Sequence, residues 1–180
     1  MEIYLLDKKE YNKYKLDFKY TTKYYYDVEV DSNEVFSIKL VKKPFEKEVQ
    51  KGFTGILYED WLENPSAYVL TEEEQILGYL EVDRESWNNR LRITEILVLE
   101  DFRASGYGTV LINKAKEIAK EEGFREIILE THSCNTKAID FYIKNGFRVN
   151  GIDLSCYTND DVARKEVRIE MVYRLYNSVV

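Results

Sequence analysis

The stretch from Leu91 to Thr131 constrains the fold of this chain most. Its first part, Leu91 to Leu99, holds Ile93, Ile96, Leu97, Val98 and Leu99, apolar on both parities, and reads as a strand covered on both faces. The loop Glu100 to Ser105 leads to a helix from about Gly108 to Glu122. There Leu111, Ala115, Ile118 and Ala119 recur at helical spacing, lysines and glutamates fill the wet face, and Gly123 closes the end. Glu126 to Thr131 follows as a strand. A strand, a helix and a strand in this order make a right-handed parallel crossover, so the chain must build a sheet around a parallel pair.

The flanking sequence adds antiparallel strands. Ala67 to Thr71 and Ile76 to Asp83 are joined by the polar tip Glu72-Glu73-Glu74-Gln75, and Asn88-Asn89 turns the chain into Leu91, giving a meander. After the crossover, Asn135 or Thr136 caps a short helix from Lys137 to Asn145, which Gly146 stops. Phe147 to Tyr157 and Val167 to Leu175 are the last strands. In the N-terminal third, Tyr24 to Val30 and Val35 to Leu40 alternate as strands around an Asp31-Ser32-Asn33 turn. Phe45 to Leu62 is expected to be helical in part, ending before Asn64-Pro65. With two prolines, no Gly/Ser-rich linker and no repeat, the expectation is one α+β domain over 1–180. It divides into a variable part, 1–65, and a core, 66–177, with a mixed, mostly antiparallel sheet flanked by helices.

Charge narrows the partners. The chain has 26 Lys plus Arg against 33 Asp plus Glu, a formal charge of −7, and the whole excess lies in residues 51–100. A local field of that sign disfavours nucleic acid and attracts a cationic partner. The aromatic content, 15 Tyr among it, excludes a disordered acidic chain. No apolar run is long enough for a signal-peptide core or a membrane span, so a soluble cytoplasmic protein away from membranes is expected. Cys134, Cys156 and His132 form no metal-binding cluster by spacing, and free thiols without a metal are expected.

The segment Arg103-Ala104-Ser105-Gly106-Tyr107-Gly108-Thr109 sits between a strand and a helix. Unpaired amides and the positive dipole end at a helix start suit an anion, Gly106 and Gly108 let the main chain approach it, and Arg103 suits phosphate oxygens. The spacing is neither a Walker loop nor a dinucleotide fingerprint, and a plain turn with a cap would also produce it.

That loop is followed by Leu129-Glu130-Thr131, Asn135-Thr136-Lys137-Ala138 and Phe141-Tyr142-Ile143-Lys144-Asn145-Gly146-Phe147. Together these blocks resemble the GCN5-related N-acetyltransferase (GNAT) family over roughly residues 67–175. With Trp87-Asn88 and Asp153 to Tyr157 added, they are similar to its streptothricin acetyltransferases. The resemblance implies a central parallel pair splayed for acetyl-CoA as co-substrate. It places the pyrophosphate on Arg103, Ala104, Ser105, Gly106, Tyr107, Gly108 and Thr109, and the pantetheine arm on main chain at Leu97, Val98 and Leu99. Asn135 and Ala138 are implied as further contacts. Ala104 stands where the family often has Gly. Exposed strands in that fold support dimers, so a homodimer is expected.

Acetyl transfer to an amine needs a neutral amine, a stabilised oxyanion and a proton for the departing thiolate. A lysine-like amine of pKa about 10.4 is neutral about once per thousand molecules at pH 7, so a base or a water relay is required. The oxyanion is expected on a backbone amide near Leu97 to Leu99. Tyr142 shares a helix stripe with Ala138 and Phe141, and the resemblance puts it beside the cofactor sulfur as proton donor, in contact with the cofactor. Glu95, placed by alternation with Ile93, Leu97 and Leu99, is a general base, a group that holds the acceptor's charge, or a partner of Arg92 or another base near the sheet end. Glu81 and Asp83 join it as acceptor-binding candidates. His132 reads better as a loop residue than as a base, the run Tyr24-Tyr25-Tyr26 as strand packing, and the pairs Lys42-Lys43 and Lys8-Lys9 as solvated surface charge. The expected activity is transfer to a primary amine of a small cation, streptothricin first. Protein N-termini, lysines or polyamines are the alternative acceptors, and a non-catalytic acyl-CoA-binding domain is the reading of another class.

Overall fold

The computed structural model describes residues 1–31 and 37–175. The expected turn at Ser32-Asn33, the strand start at Val35 and the last positions of the expected core, 176 and 177, lie outside these. In chain order the elements are β1 (Glu2–Leu5), α1 (Lys8–Tyr11), β2 (Lys15–Asp31), β3 (Ser37–Ile56), β4 (Ser66–Glu72), β5 (Gln75–Glu85) and β6 (Arg90–Val98). A 3-10 turn at Glu100–Phe102 precedes α2 (Tyr107–Glu121), β7 (Glu126–His132), α3 (Thr136–Lys144), β8 (Arg148–Asp153), α4 (Asp161–Arg164) and β9 (Arg168–Arg174). The chain forms two compact units. Of the described residues, one comprises 1–18, 53–129 and 172–175, the other 19–31, 37–52 and 130–171.

In the first unit β1, β4, β5 and β6 are antiparallel neighbours, and β7 joins β6 in parallel, as the crossover requires. The ladder between β6 and β7 runs over Arg90↔Glu126, Leu91↔Ile127 and Arg92↔Ile128, while β6 itself continues to Val98. One face carries Tyr79 and Leu97, clustered with Leu6, Leu16, Leu57, Tyr58, Ala67 and Val69. Helix α2 packs on β5 and β6 with Leu111, Ile112, Ala115, Ile118 and Ala119 buried. It approaches Gly78, where an added Cβ would lie 3.3 Å from Leu111 Cδ1.

Strands β2 and β3 pair as a separate two-stranded sheet. Phe18 stacks on Phe53, Tyr25 meets Phe45 and Asp27 binds Lys43, so one strand's numbers fall as the other's rise and the pair is antiparallel. This corrects the expectation of helix within 45–62, since β3 stays extended to Ile56. The less exposed positions of β3 include Val41, Lys43, Phe45, Val49 and Lys51. That is a two-residue alternation which hydropathy hides, because two of its members are lysines laid along the sheet. Pro44 within β3 suits a strand with an open edge.

In the second unit the strand order is β7, β9, β8. Lys165 and Lys43 both bind Asp27, at 2.9 and 2.8 Å, and Lys51 binds Glu166 at 2.7 Å. Lys43 is therefore an ion-pair partner rather than plain solvated charge. Strand β8 ends at Asp153, short of the expected Tyr157, because Asp161 accepts from the Tyr157 and Thr158 amides and turns the chain into α4. Among the described residues no helix is long and apolar enough to cross a membrane.

Candidate active site

The Arg103–Thr109 segment opens α2 as expected. Gly106 is the N-cap residue at φ 89°, and its carbonyl accepts from the amides of Thr109 and Val110. No acidic residue lies in the first turn to oppose an anion, and the loop from Arg103 to Gly106 is exposed. Ala104 sits at φ 65°. That is the left-handed region, open to glycine at no steric cost. Arg103 folds back, its Nε donating to the Val98 carbonyl at 3.1 Å.

Past Arg92↔Ile128 the edge of β6 that faced β7 has no further ladder pair among the described residues. Leu99 N donates to Leu77 O, so Leu99 and, by alternation, Leu97 turn their backbone groups to β5. Val98 and Ile96 turn theirs to the opposite edge. Of Leu97, Val98 and Leu99, it is Val98 that turns its backbone groups to this edge, as does Ile96.

A bulge reshapes the middle of β6. Glu81 pairs with Glu95 but Val82 pairs with Ile93, so Thr94 and Glu95 together oppose Glu81. Simple alternation put Glu95 on the face of Ile93. The extra residue moves it to the opposite face, with Leu97 and Tyr79. There its carboxylate lies against β3, and a Cβ built on Gly55 would fall 2.4 Å from Glu95 Oε1.

The two neighbouring acids are engaged in hydrogen bonds within the protein. Glu81 is 0% exposed, with Oε1 accepting from Tyr58 N and Oε2 from Thr94 Oγ1, both at 2.6 Å. Burial pushes its carboxyl above the usual carboxylate range, against the pull of those two hydrogen bonds. Asp83 is buried and accepts from Glu63 N and Asn64 N, holding the loop before β4. Sequence reasoning missed Gly55, Tyr58 and Thr94. The signal for Gly55 was a glycine inside an extended strand, a mark of close backbone approach that the helical assignment of this stretch concealed.

In the second unit Asn135 caps α3, its side chain accepting from Ala138 N at 3.4 Å. Tyr142 is a buried residue of α3 whose ring contacts Phe141 and Phe147, centroids 5.4 and 5.9 Å away. His132 ends β7 edge-on to Tyr157, and burial lowers its pKa. Tyr25 packs on Phe45, while Lys42 lies over Tyr24 and Tyr26. Cys134 is buried beside Tyr20 and Cys156 is exposed, both as free thiols. Among the described residues no group of His, Cys, Asp and Glu is placed to hold a metal ion.

Residues 23–147 match the sequence model of the acetyltransferase (GNAT) family. Streptothricin acetyltransferase A of Bacillus subtilis is 33% identical over 132 residues, 73% of this chain and 75% of that protein. A streptothricin acetyltransferase of Escherichia coli is 31% identical over 128 residues, 69% of this chain and 73% of its own length. Among solved structures, a Bacillus anthracis protein assigned as a streptothricin acetyltransferase, in complex with acetyl coenzyme A, superposes with a TM-score of 0.76 at 26% identity over 97% of both chains. Nourseothricin acetyltransferase superposes with a TM-score of 0.73 at 24% identity, covering 96% of this chain and 97% of its own, a likeness of fold.

Proposed function

The chain belongs to the GNAT acetyltransferase family, and from that membership we propose that it acetylates a primary amine of a small cationic substrate of the streptothricin type. It is an acetyl-CoA-dependent acetyltransferase, and the reading of a non-catalytic acyl-CoA binder is set aside with that. The observation that carries the acceptor class is the Glu95 carboxylate, turned by the bulge onto the face of Leu97 and Tyr79 and set against Gly55. A carboxylate on this partly buried face suits an ammonium group, and it suits the withdrawal of that group's proton.

When bound, acetyl-CoA supplies the activated acetyl thioester. The residues present fit it: the start of α2 is free of acidic residues, Ala104 and Gly106 hold left-handed conformations in the exposed loop before it, and Ile96 and the Val98 amide turn to the β6 edge past the last pair with β7. In this assignment the loop from Arg103 to Thr109 binds the pyrophosphate and the β6 edge orients the pantetheine arm. Asn135 sets the start of α3, and through it the place of Ala138 and Tyr142. Tyr142 holds a proton at its phenol oxygen for the leaving thiolate. Glu95 binds the acceptor's ammonium and takes its proton, directly or through water.

The family match draws on segments of both compact units, 23–52 and 130–147 from one and 53–129 from the other, which supports reading 1–180 as a single acetyltransferase domain. A cytoplasmic homodimer completes the proposal. The test is an amine panel with acetyl-CoA and mass detection: streptothricin, polyamines, free lysine, and peptides with free N-termini or lysines. Preferred acetylation of streptothricin supports the assignment. Preference for peptides or polyamines would transfer it to those acceptors.

A further inference from the structure

Glu81 is fully buried, yet it carries a carboxylate in the middle of a sheet. Both of its oxygens are used. Oε1 accepts from the amide of Tyr58, a residue held at φ 56°, and Oε2 accepts from the hydroxyl of Thr94, the inserted residue of the β6 bulge. Tyr58 is fixed in turn, its phenol donating to Leu6 O at 2.9 Å and accepting from Ala67 N at 3.1 Å. A non-glycine residue in a left-handed conformation persists where its surroundings over-determine it, and here the strained amide is aimed at a carboxylate. Gly55, three residues before Tyr58, is the residue against which the Glu95 carboxylate lies.

One side chain therefore ties the segment that covers Glu95 to the bulge that presents it. We propose that Glu81 is a positioning residue for the acceptor site: it holds the Thr94–Glu95 bulge beneath the Gly55–Tyr58 segment and so fixes where the Glu95 carboxylate stands, without itself meeting the amine. The proposal rests on the reading of Glu95 as the acceptor-facing group. An apolar residue in place of Glu81 would leave the Tyr58 amide and the Thr94 hydroxyl unpaired inside the sheet, so the carboxylate is also what makes the bulge tolerable.

The test is a double-mutant cycle on the full chain, with streptothricin as acceptor and acetyl-CoA as donor. Glu81→Gln and Thr94→Val are each expected to raise the streptothricin KM at least tenfold while the acetyl-CoA KM stays within twofold, and Thr94→Ser restores it. In the Glu95→Gln background, either substitution should change the streptothricin KM less than threefold further, because the group it positions is already neutral. Effects that multiply across the cycle would show that Glu81 acts on the acceptor directly and would overturn the proposal. A normal KM in both Glu81→Gln and Thr94→Val beside an impaired Glu95→Gln would overturn it too. An unimpaired Glu95→Gln would instead sink the reading of Glu95. Should Glu81→Gln not fold, Thr94→Val carries the same cycle. Amide hydrogen exchange needs no turnover: exchange at Thr94 and Glu95 should rise at least tenfold in Thr94→Val and not in Thr94→Ser, and equal protection in both would refute the pinning.

Discussion

Gly55 leaves room for Glu95. A methyl group on Gly55 would lie 2.4 to 2.6 Å from both carboxylate oxygens and the carboxyl carbon, inside any tolerable contact. The proposed acceptor site therefore depends on a missing side chain in β3 as much as on the acid in β6. Gly55→Ala is expected to push the carboxylate aside and to lower kcat/KM for the amine by about 10- to 100-fold, the scale of a misplaced reacting group. Calorimetric affinity for acetyl-CoA should stay within about twofold, and a proportional loss of both would mean that the substitution disrupts the whole first unit.

Tyr142→Phe separates packing from proton transfer. The ring lies among Phe141 and Phe147, and phenylalanine preserves those contacts, so the ring packing should survive the substitution. Loss of a positioned proton donor is expected to slow kcat by about 100-fold or more with little change in the acetyl-CoA Kd. Single-turnover rates alongside calorimetry check this, and unchanged turnover would remove Tyr142 from the mechanism.

The crossover and the meander were legible because their signals are local. Leu111, Ala115, Ile118 and Ala119 mark one helix face, and Asn88-Asn89 marks a turn. The lysine-rich β3 was not, because Lys43 and Lys51 occupy its inward phase and their partners, Asp27 and Glu166, are distant in sequence. Strand β1 was missed as well. It is four residues long, largely exposed, and settled by pairing with β4 more than 60 residues later, as in Glu2↔Thr71. At the proposed site, the loop and Glu95 were readable as residue types. The face of Glu95 was not, since one inserted residue in β6 reverses an alternation and leaves no mark in composition.

The loop from Arg103 to Thr109 should respond in opposite senses at two neighbouring positions. Ala104 at φ 65° bears the cost of a left-handed L-residue, about 1 kcal/mol, so Ala104→Gly is expected to raise Tm by up to about 3 °C. Gly106 at φ 89° has open space around a built Cβ, so Gly106→Ala meets only the backbone penalty, about 1 to 2 kcal/mol. If that turn aims the amides, Gly106→Ala also weakens acetyl-CoA binding about tenfold, while Ala104→Gly does not. Thermal melts and calorimetry on the two variants read both effects, and a gain in affinity from Gly106→Ala would contradict the assignment of the loop.

Glu81 should leave a signature in stability against pH. Burial raises its carboxyl above the ordinary 4.5, more than the hydrogen bonds from Thr94 and Tyr58 lower it. A raised folded-state pKa means that the native protein binds this proton more tightly than the unfolded chain. The stabilisation is fully present below the unfolded value and is lost as pH rises through the folded one. Asp27, Glu63 and Asp161 are shifted the other way, so the wild-type curve alone mixes both signs. The difference between wild type and Glu81→Gln cancels those groups. Urea unfolding from pH 4 to pH 8 is expected to show the stability of wild type relative to Glu81→Gln falling as pH rises above 4.5. A relative stability that climbs with pH would mean that Glu81 is held as a favoured carboxylate, its two hydrogen bonds outweighing its burial.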